Sequence, residues 1–476
     1  MIEAGVVAII AWGALAFGAV YTWAYVPLLI ACAAVGLLGL TWGRRARISR
    51  TNRAPIIALM IVIAAGAVEL VPLPVGVLKI LSPSTDAFLQ QYDIAYALQP
   101  GRHPLSIEPR ATVLGLTFLA TFSLFLAGLL RAFARSGVRR VVVAVVVFGV
   151  VLALIAIIQK ALLGDHTFMG MKIYGFWTPE SRLVVPYGPY VNRNHFAGWM
   201  LMAIPLAIGY LCALCADGMR GTRPGWRARL LWFSSPHGGR SILVGFAVII
   251  MTLSLAMSMS RSGMAAFAIA ALLIAWRLLS ALPSRRARVA TAALFVLLIA
   301  IPVLWLGLDS TVRRFSSDSV GSMAMRRHAW RDTRAVISDF PLTGTGLNTF
   351  GTAMLVYQTG SRAVHFQEAH NDYLQIIAEG GLLIGLPAFI ALAMVARVVR
   401  RRFVSGKDEL PIYWIRVGAT TGLVAVALQS LVEFSLQMPG NAAFFTVLLA
   451  VAMHRPEERS ASSVERRPKQ VHRQTV

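Results

Sequence analysis

Long uninterrupted stretches of apolar residues constrain this chain more than any other feature. Residues 4–43 contain no charged side chain, and ten further apolar stretches follow, at about 54–72, 112–130, 141–163, 195–216, 242–259, 264–282, 290–308, 373–396, 417–434 and 439–454. A membrane-spanning helix needs about 20 mostly apolar residues, so the first stretch is long enough for two helices. We therefore predict an all-α polytopic membrane protein with about twelve transmembrane helices.

The balance of charge supports this fold class and predicts an orientation. Only 14% of the residues are charged, against roughly 25% in soluble domains, which excludes a water-soluble enzyme. The net charge of +24 could indicate a nucleic-acid partner or basic inner loops. With Met1 placed in the cytoplasm, the inner segments hold 29 of the 45 Lys and Arg residues. The positive-inside rule then predicts that both termini are cytoplasmic, and the basic residues need no nucleic acid to explain them.

The same topology predicts the domain organisation. Residues 1–454 form a single polytopic membrane domain, and the basic tail at 455–476 is predicted to be disordered. The longest extracytoplasmic loop, residues 309–372, contains a helical pattern at 322–339 with Met325, Ala329 and Val336 on one side. A Pro-Leu-Thr-Gly-Thr-Gly run at 341–346 should end that helix. We expect the function to lie in this loop and in the neighbouring helix ends.

Two arginines are candidates for binding an anion on that face. Arg261 is the lone charge of a short outer turn between two apolar helices. It either extends to lipid headgroups or binds an anion at a helix start, where its guanidinium can hold a phosphate in a bidentate way. Arg326 lies four residues before Trp330, so the two share a helix face. That face is either simply solvated or part of an anion site.

Polar residues also gather at the outer ends of two predicted spans. Asn192, Arg193 and His195 precede one apolar run and could line a substrate site, while Asn194 could simply cap the helix. His370 and Asn371 stand at the entrance of another.

Two acids complete the set of candidates. Glu379 lies inside an apolar stretch, where an acid is a functional candidate by default. It follows His370 by nine residues, which places the two on opposite helix faces and argues against a direct hydrogen bond between them. Glu433 belongs to a polar stripe with Gln429 and Gln437, which could equally serve interhelical hydrogen bonds. The spacing of His365, Glu368 and His370 does not put both histidines on one helix face, so no metal site is expected.

Five blocks of the sequence resemble the O-antigen ligase/polymerase family of bacterial envelope glycosyltransferases. They are YGPYVNRNHFAG at 187–198, SRSG at 260–263, the stretch from Arg326 to the PLTGTG run at 326–346, HNDYLQIIAEGGLLIG at 370–385 and EFSLQMPGN at 433–441. The resemblance implies a GT-C-like helical fold in the bacterial inner (plasma) membrane with a periplasmic active face. It also implies transfer of a glycan from an undecaprenyl-diphosphate carrier to lipid A core or a growing polysaccharide, without metal or other cofactor.

The resemblance further implies roles for individual residues. Arg261 and Arg326 would hold the diphosphate, and His370 would act near the acceptor hydroxyl, which makes these three the catalytic candidates. The candidates for binding substrate are Asn192, Arg193, His195, Trp330, Asn371, Glu379 and Glu433.

A membrane transporter of a small anion such as bicarbonate is the alternative. Its path would use intramembrane groups such as Lys160, Glu379 and Glu433. A transporter requires polar residues near mid-membrane and interrupted helices. The polar residues of this chain instead gather at helix ends, which favours a one-sided enzyme.

Overall fold

The computed structural model describes residues 1–41, 49–163, 172–179, 185–218, 232, 234–305, 308–360, 365–404, 406 and 409–455. Within these ranges the chain is helical, without a strand, and has three isolated β-bridges. The α-helices in chain order are α1 (Ile2–Leu15), α2 (Thr22–Thr41), α3 (Arg50–Val68), α4 (Val75–Leu81), α5 (Pro83–Tyr92), α6 (Ile94–Leu98), α7 (Pro109–Ser136), α8 (Arg139–Leu163), α9 (Arg193–Gly218), α10 (Pro236–Met257), α11 (Arg261–Ala281), α12 (Arg285–Trp305), α13 (Leu308–Asp339), α14 (Phe350–Tyr357), α15 (Asp372–Val404), α16 (Leu410–Gln429) and α17 (Pro439–Met453). The tail from 456 onwards lies outside the described residues.

Every predicted apolar stretch forms a helix, which confirms an all-α, multi-pass membrane protein. In the described ranges, nine helices are long and apolar enough to cross a membrane, namely α2, α3, α7, α8, α9, α10, α11, α15 and α16. The other three predicted stretches are α1 and α17, which are shorter at 14 and 15 residues, and α12 with 21 residues. At 1.5 Å per residue, α1 and α17 are about 21–23 Å long, less than the roughly 30 Å of a bilayer core.

Helix α9 is the centre of the bundle. Most of its residues are buried, because α8, α10, α11, α16 and α17 all pack against it. The outer helices instead leave large apolar side chains exposed, such as Phe246 on α10, Trp276 on α11 and Phe389 on α15. Apolar side chains on the outside suit contact with lipid tails, which solvate them as well as a protein core does.

The two short helices α1 and α17 cross closely through a pair of glycines. A Cβ atom added to Gly13 would lie 2.8 Å from the Cα atom of Gly440. Small residues at a helix crossing let the backbones approach, and dispersion contacts then hold the helices together within the membrane. This contact places the start of α17 beside α1.

Helix α13 is the helix predicted in the long loop, and it ends at Asp339, directly before the PLTGTG run. Ala329 and Val336 are buried, as their shared side predicted. Met325, which was expected on the same side, is 49% exposed. The apolar face that packs is therefore shorter than the sequence pattern indicates.

Helix α15 is interrupted, and the PLTGTG segment (residues 341–346) fills the interruption. Gly381 has a φ of 50°, a conformation that breaks the regular helix and favours glycine. Four main-chain hydrogen bonds join the two segments: Leu382 N–H to Pro341 O (3.0 Å), Leu383 N–H to Leu342 O (2.9 Å), Thr345 N–H to Ala378 O (3.1 Å) and Gly346 N–H to Glu379 O (2.8 Å). The loop thus satisfies backbone groups that the broken helix leaves unpaired.

Gly381 and Gly385 have the spacing of a small-residue pair that packs helices together. The structure does not use them in this way, because a Cβ added at Gly385 would meet nothing within 4 Å. Gly381 is instead needed for its backbone conformation and for the close approach of the loop.

A second correction concerns the end of α16. This helix stops at Gln429, and Ser435–Gln437 form a separate short 3₁₀ turn. Gln429, Glu433 and Gln437 are therefore not a stripe on one helix, and Glu433 lies in the connection between α16 and α17. The connection turns Glu433 inward, where its side chain is only 1% exposed.

Candidate active site

Three helix ends meet at one end of the bundle and are joined there by polar side chains. Ser260 caps α11 by accepting a hydrogen bond from the Gly263 N–H group, at 3.3 Å. Its hydroxyl donates to the Asn194 Oδ1 atom at 2.8 Å. The Asn194 amide in turn donates to Glu433 Oε1 at 2.7 Å. This chain of hydrogen bonds connects the starts of α9 and α11 with the α16–α17 connection.

The carboxylate of Glu433 is the centre of this cluster, and its two oxygens have different partners. Oε1 accepts from Asn194 and forms an ion pair with Arg326 of α13. Among the described residues Oε2 has no hydrogen-bond partner, and it lies 3.7 Å from Nδ1 of His370. Because a buried carboxylate is unfavourable unless it is paired, Arg326 and Asn194 account for its burial. Glu433 thereby brings a cation and an imidazole to one place.

The His370 ring is held by its backbone and by an aromatic neighbour. The residue has a φ of 50°, a strained conformation for a residue with a Cβ, and such strain often marks functional sites. Its ring packs edge-on against Phe434, with centroids 4.7 Å apart. His195 packs against Phe434 in the same way, also at 4.7 Å. Phe434 thus separates the two imidazoles, and the His370 side chain remains 27% exposed.

Several buried polar atoms in this region have no hydrogen-bond partner within the described part of the chain. They are Trp330 Nε1, His195 Nε2, His370 Nδ1, Asp372 Oδ2 and Glu433 Oε2. Buried polar groups are normally paired, so a concentration of exceptions requires an explanation. His370 Nδ1 and Glu433 Oε2 lie 3.7 Å apart and face each other, and a polar ligand such as a sugar or a phosphate would supply partners for the other three atoms.

The two remaining arginines are the first residues of helices at this same end. Arg261 begins α11, directly after Ser260, and Arg193 begins α9, two residues before His195. The start of a helix carries a partial positive charge, and it reinforces the arginine charge there. Arg193, Arg261 and Arg326 thus make this end of the bundle suitable for an anion.

Two predicted substrate-binding residues act as helix caps. The Asn192 side chain accepts from the Asn194 N–H group at 2.9 Å, so Asn192 performs the capping role that was considered for Asn194. The Asn371 side chain accepts from the Tyr373 and Leu374 N–H groups, both at 3.0 Å, and caps α15. It also donates to the Leu431 carbonyl oxygen at 2.9 Å, which fixes α15 to the connection that carries Glu433.

Among the described residues Glu379 is not hydrogen-bonded to His370, and because α15 begins only at Asp372, the nine-residue spacing does not place the two on faces of one helix. Its carboxylate accepts from the Asn348 N–H group at 2.9 Å, the Phe350 N–H group at 3.2 Å and the Gln375 amide at 3.2 Å. The structure therefore uses Glu379 to hold the backbone that follows the PLTGTG segment.

Glu368 is a further acid beside the site, two residues before His370. Burial raises the pKa of its carboxyl to about 8. The Gln375 amide lowers this pKa, while the negative charges of Glu379 and Asp372 raise it. Glu368 is therefore largely protonated at neutral pH.

Three residues of the site were not predicted from the sequence, namely Asn194, Ser260 and Phe434. Asn194 was expected only as a cap, and Ser260 appeared only within the SRSG block. Both belong to short polar runs at helix starts, which is the signal that could have identified them. Among the described residues, no group of three His, Cys, Asp or Glu side chains is placed to hold a metal ion.

Comparison with known proteins supports the resemblance seen in the sequence. The model of the O-antigen ligase family matches residues 246–390. This segment contains Arg261, Arg326 and His370, while Asn194 and Glu433 lie outside it. The search of the curated proteins found no match.

Proposed function

We propose that this chain, whose residues 246–390 match the O-antigen ligase family, transfers a glycan from an undecaprenyl-diphosphate carrier to an acceptor saccharide. The acceptor is lipid A core or a growing polysaccharide. The observation that carries the proposal is the convergence of Arg326 and His370 on Glu433 at one end of a membrane bundle. This site offers a cation for a leaving diphosphate and a base for an attacking hydroxyl.

In this proposal, Arg261 and Arg326 bind the diphosphate of the carrier. Transfer breaks the bond between the anomeric carbon and a diphosphate oxygen, and negative charge develops on that oxygen. Guanidinium groups positioned there stabilise the charge more in the transition state than in the bound substrate, which lowers the barrier. Two arginines and a helix start supply this stabilisation without requiring a metal ion.

His370 is proposed as the general base. The acceptor hydroxyl must lose a proton as its oxygen attacks, and an imidazole accepts a proton readily near neutral pH. Trp330 and His195 are proposed to contact the substrate, because their ring N–H or N groups are buried without a partner in the described ranges. Arg193 adds positive charge for the diphosphate.

The other predicted substrate-binding residues are proposed to shape the site. Asn192 and Asn371 fix the starts of α9 and α15, and Glu379 holds the loop that follows α13. The role of Glu433 is developed in the next subsection.

We propose that the site faces the periplasm from the inner membrane and that both termini are cytoplasmic. The distribution of Lys and Arg supports this orientation. The end of the bundle opposite the site contains Arg416, which donates to the carbonyl oxygens of Ala452 and His454 at the end of α17. We also propose that residues 1–454 act as one membrane domain, since residues from α9, α11, α13, α15 and the α16–α17 connection all contribute to the site.

The test compares site variants with matched neighbours in a strain that lacks the gene. Arg261→Ala, Arg326→Lys and His370→Ala should each reduce glycan transfer by at least about 10²-fold. The exposed neighbours Arg327→Ala and His365→Ala should leave transfer unchanged. Extracted glycans are separated on a gel, and the amount of membrane-inserted protein is measured in the same samples. Normal surface polysaccharide from all three site variants would refute the proposal.

The same gel of the deletion strain distinguishes two reactions. Loss of polymer from lipid A core, with carrier-linked polymer intact, indicates a ligase. Accumulation of single repeat units indicates a polymerase.

A small-anion transporter is the second candidate, and the interruption of α15 at Gly381 is the observation in its favour. Transporter sites often use broken helices near buried ionisable groups. However, the backbone N–H groups of residues 348 and 350 already occupy the Glu379 carboxylate beside this break. Uptake of labelled bicarbonate into proteoliposomes tests this candidate, and uptake that Glu379→Gln abolishes while glycan transfer persists would support it.

A further inference from the structure

We infer that Glu433 is a positioning residue that sets the orientation of His370 and its spacing from Arg326. The inference rests on the proposed function, because it assigns His370 to the acceptor and Arg326 to the carrier diphosphate. The family match ends before Glu433, so the assignment comes from the contacts of its carboxylate.

The two carboxylate oxygens of Glu433 have different roles. Oε1 is occupied by Arg326 and by the Asn194 amide, which hold the carboxylate in one orientation. Oε2 is then directed at His370 Nδ1, at 3.7 Å, and the described ranges of the chain offer it no other partner. A carboxylate beside Nδ1 favours the tautomer with the proton on Nδ1, so Nε2 is left as the proton acceptor. The imidazole is thereby prepared to act as a base through Nε2.

During transfer, the proton of the acceptor hydroxyl moves to His370. The acceptor oxygen forms a bond to the anomeric carbon, its proton passes to His370 Nε2, and the electron pair of the broken bond remains on the diphosphate. His370 becomes an imidazolium, and its new positive charge faces the Glu433 carboxylate. Glu433 therefore stabilises the protonated histidine in the same way that the carboxylate of a Ser-His-Asp triad does. Arg326, on the other oxygen, stabilises the negative charge that forms at the same time.

Several other charged or titratable groups lie around His370. Asp372 follows it on α15, and Glu368 precedes it in the loop. His195 of α9 lies across Phe434, and Arg326 of α13 lies on the far oxygen of Glu433. Asp372 is engaged by the Gln437 amide at 3.4 Å, and Glu368 by the Gln375 amide. Among these groups, only Glu433 forms an ion-pair contact with the His370 ring in the described part of the chain.

The near-isosteric variant Glu433→Gln isolates this role. Its side-chain oxygen can still accept from Arg326 and Asn194, whereas its NH₂ group would face His370 Nδ1. The imidazole would then adopt the opposite tautomer, with the proton on Nε2, and could not accept the proton of the acceptor hydroxyl. Donor binding should therefore survive while the chemical step fails.

The experiment uses the full chain in lipid nanodiscs with a carrier-linked glycan and an acceptor, and measures kcat and donor KM. Glu433→Gln should lower kcat by about 10²–10⁴-fold with donor KM within about threefold of wild type. Glu433→Asp retains the negative charge beside His370 and should recover at least about tenfold of the kcat that Glu433→Gln loses. Asp339→Asn, which removes an exposed carboxylate at the end of α13, is the control.

Three outcomes would overturn the inference. The first is a kcat of Glu433→Gln within threefold of wild type while His370→Ala is inactive. The second is a donor KM of Glu433→Gln that rises more than about tenfold, and the third is identical behaviour of Glu433→Asp and Glu433→Gln. If His370→Ala itself retains full transfer, the proposed function fails instead. If Glu433→Gln does not fold, as judged by gel filtration, Glu433→Asp takes its place, and a donor KM that rises in proportion to its loss of kcat would overturn the inference.

Discussion

The substitution Gly381→Ala should release the PLTGTG segment from the interrupted helix α15. Gly381 has a φ of 50°, and a Cβ there would lie 2.5 Å from the Gly344 nitrogen. It would also lie 2.7 and 2.8 Å from the carbonyl carbon and oxygen of Leu342. All three are backbone atoms, so no side-chain rotation can relieve the overlap. Either the helix or the loop must move.

The expected size of the effect follows from two contributions. Gly381 has a φ of 50° and a ψ of −148°, a backbone region that is essentially restricted to glycine and costs an alanine about 1–3 kcal/mol. Overpacking of a close contact adds about 1–3 kcal/mol, which gives about 2–6 kcal/mol in total. The four main-chain hydrogen bonds between the segments contribute net about 0.5–1.5 kcal/mol each, or about 2–6 kcal/mol. Because the penalty matches the docking energy, we expect the loop to detach while the helices stay in the membrane.

Hydrogen–deuterium exchange in lipid nanodiscs measures this detachment. The amides of Thr345 and Gly346 should exchange about 10²-fold faster or more in Gly381→Ala, since each 1.4 kcal/mol is a factor of ten. Gly385→Ala is the matched control, because it lies one turn further along the same helix and its Cβ would meet nothing within 4 Å. Unchanged protection of the two amides in Gly381→Ala, or equal acceleration in both variants, would refute the reasoning.

Two further predictions concern stability. Because burial raises the pKa of Glu368 from 4.5 to about 8, the folded state binds an extra proton between these values, and the free energy of unfolding should fall as pH rises through this window. Glu368→Gln should reduce that fall, as measured by thermal unfolding between pH 5 and 8. Burial also raises the pKa of Glu69 to about 8, so Glu69 is responsible for part of the fall that remains. An equal fall in variant and wild type would contradict this assignment. Gly13→Ala should lower the unfolding temperature, at a cost of about 1–3 kcal/mol, because its Cβ meets the Gly440 backbone at 2.8 Å. Gly245→Ala, with open space around its Cβ, should not, and equal midpoints would show that the α1–α17 crossing tolerates a methyl group.

The helical membrane fold could be predicted from the sequence because lipid imposes a simple requirement. Backbone groups in the bilayer must be hydrogen-bonded within the chain, so a long apolar stretch has almost no alternative to a helix. Helix interruptions were harder to predict. The break at Gly381 depends on hydrogen bonds from residues 341–346, and no local pattern around Gly381 reveals those distant partners.

The candidate site was predictable in part for a related reason. His370 stands out in the sequence because polar groups at the entrance of an apolar stretch are few, and Arg326 stands out because it shares a helix face with Trp330 and lies in one of the blocks that resemble the family. Their common partner Glu433 was identified as an intramembrane acid, but its position was wrong because α16 ends at Gln429. A pattern repeating every four residues looks the same whether the helix continues or stops. Asn194 was missed because capping is the commoner use of asparagine at a helix start.

The contacts of Glu433 have a consequence for the exchange of segments between relatives. The family match covers 246–390, yet the carboxylate that joins Arg326 to His370 comes from the α16–α17 connection, and the amide that orients this carboxylate comes from α9. The matched segment therefore does not contain all the residues that form the site. A chimera that transplants only this segment would place a foreign arginine and histidine against a resident glutamate. Functional grafting requires the start of α9 and the α16–α17 connection to be transferred together with this segment.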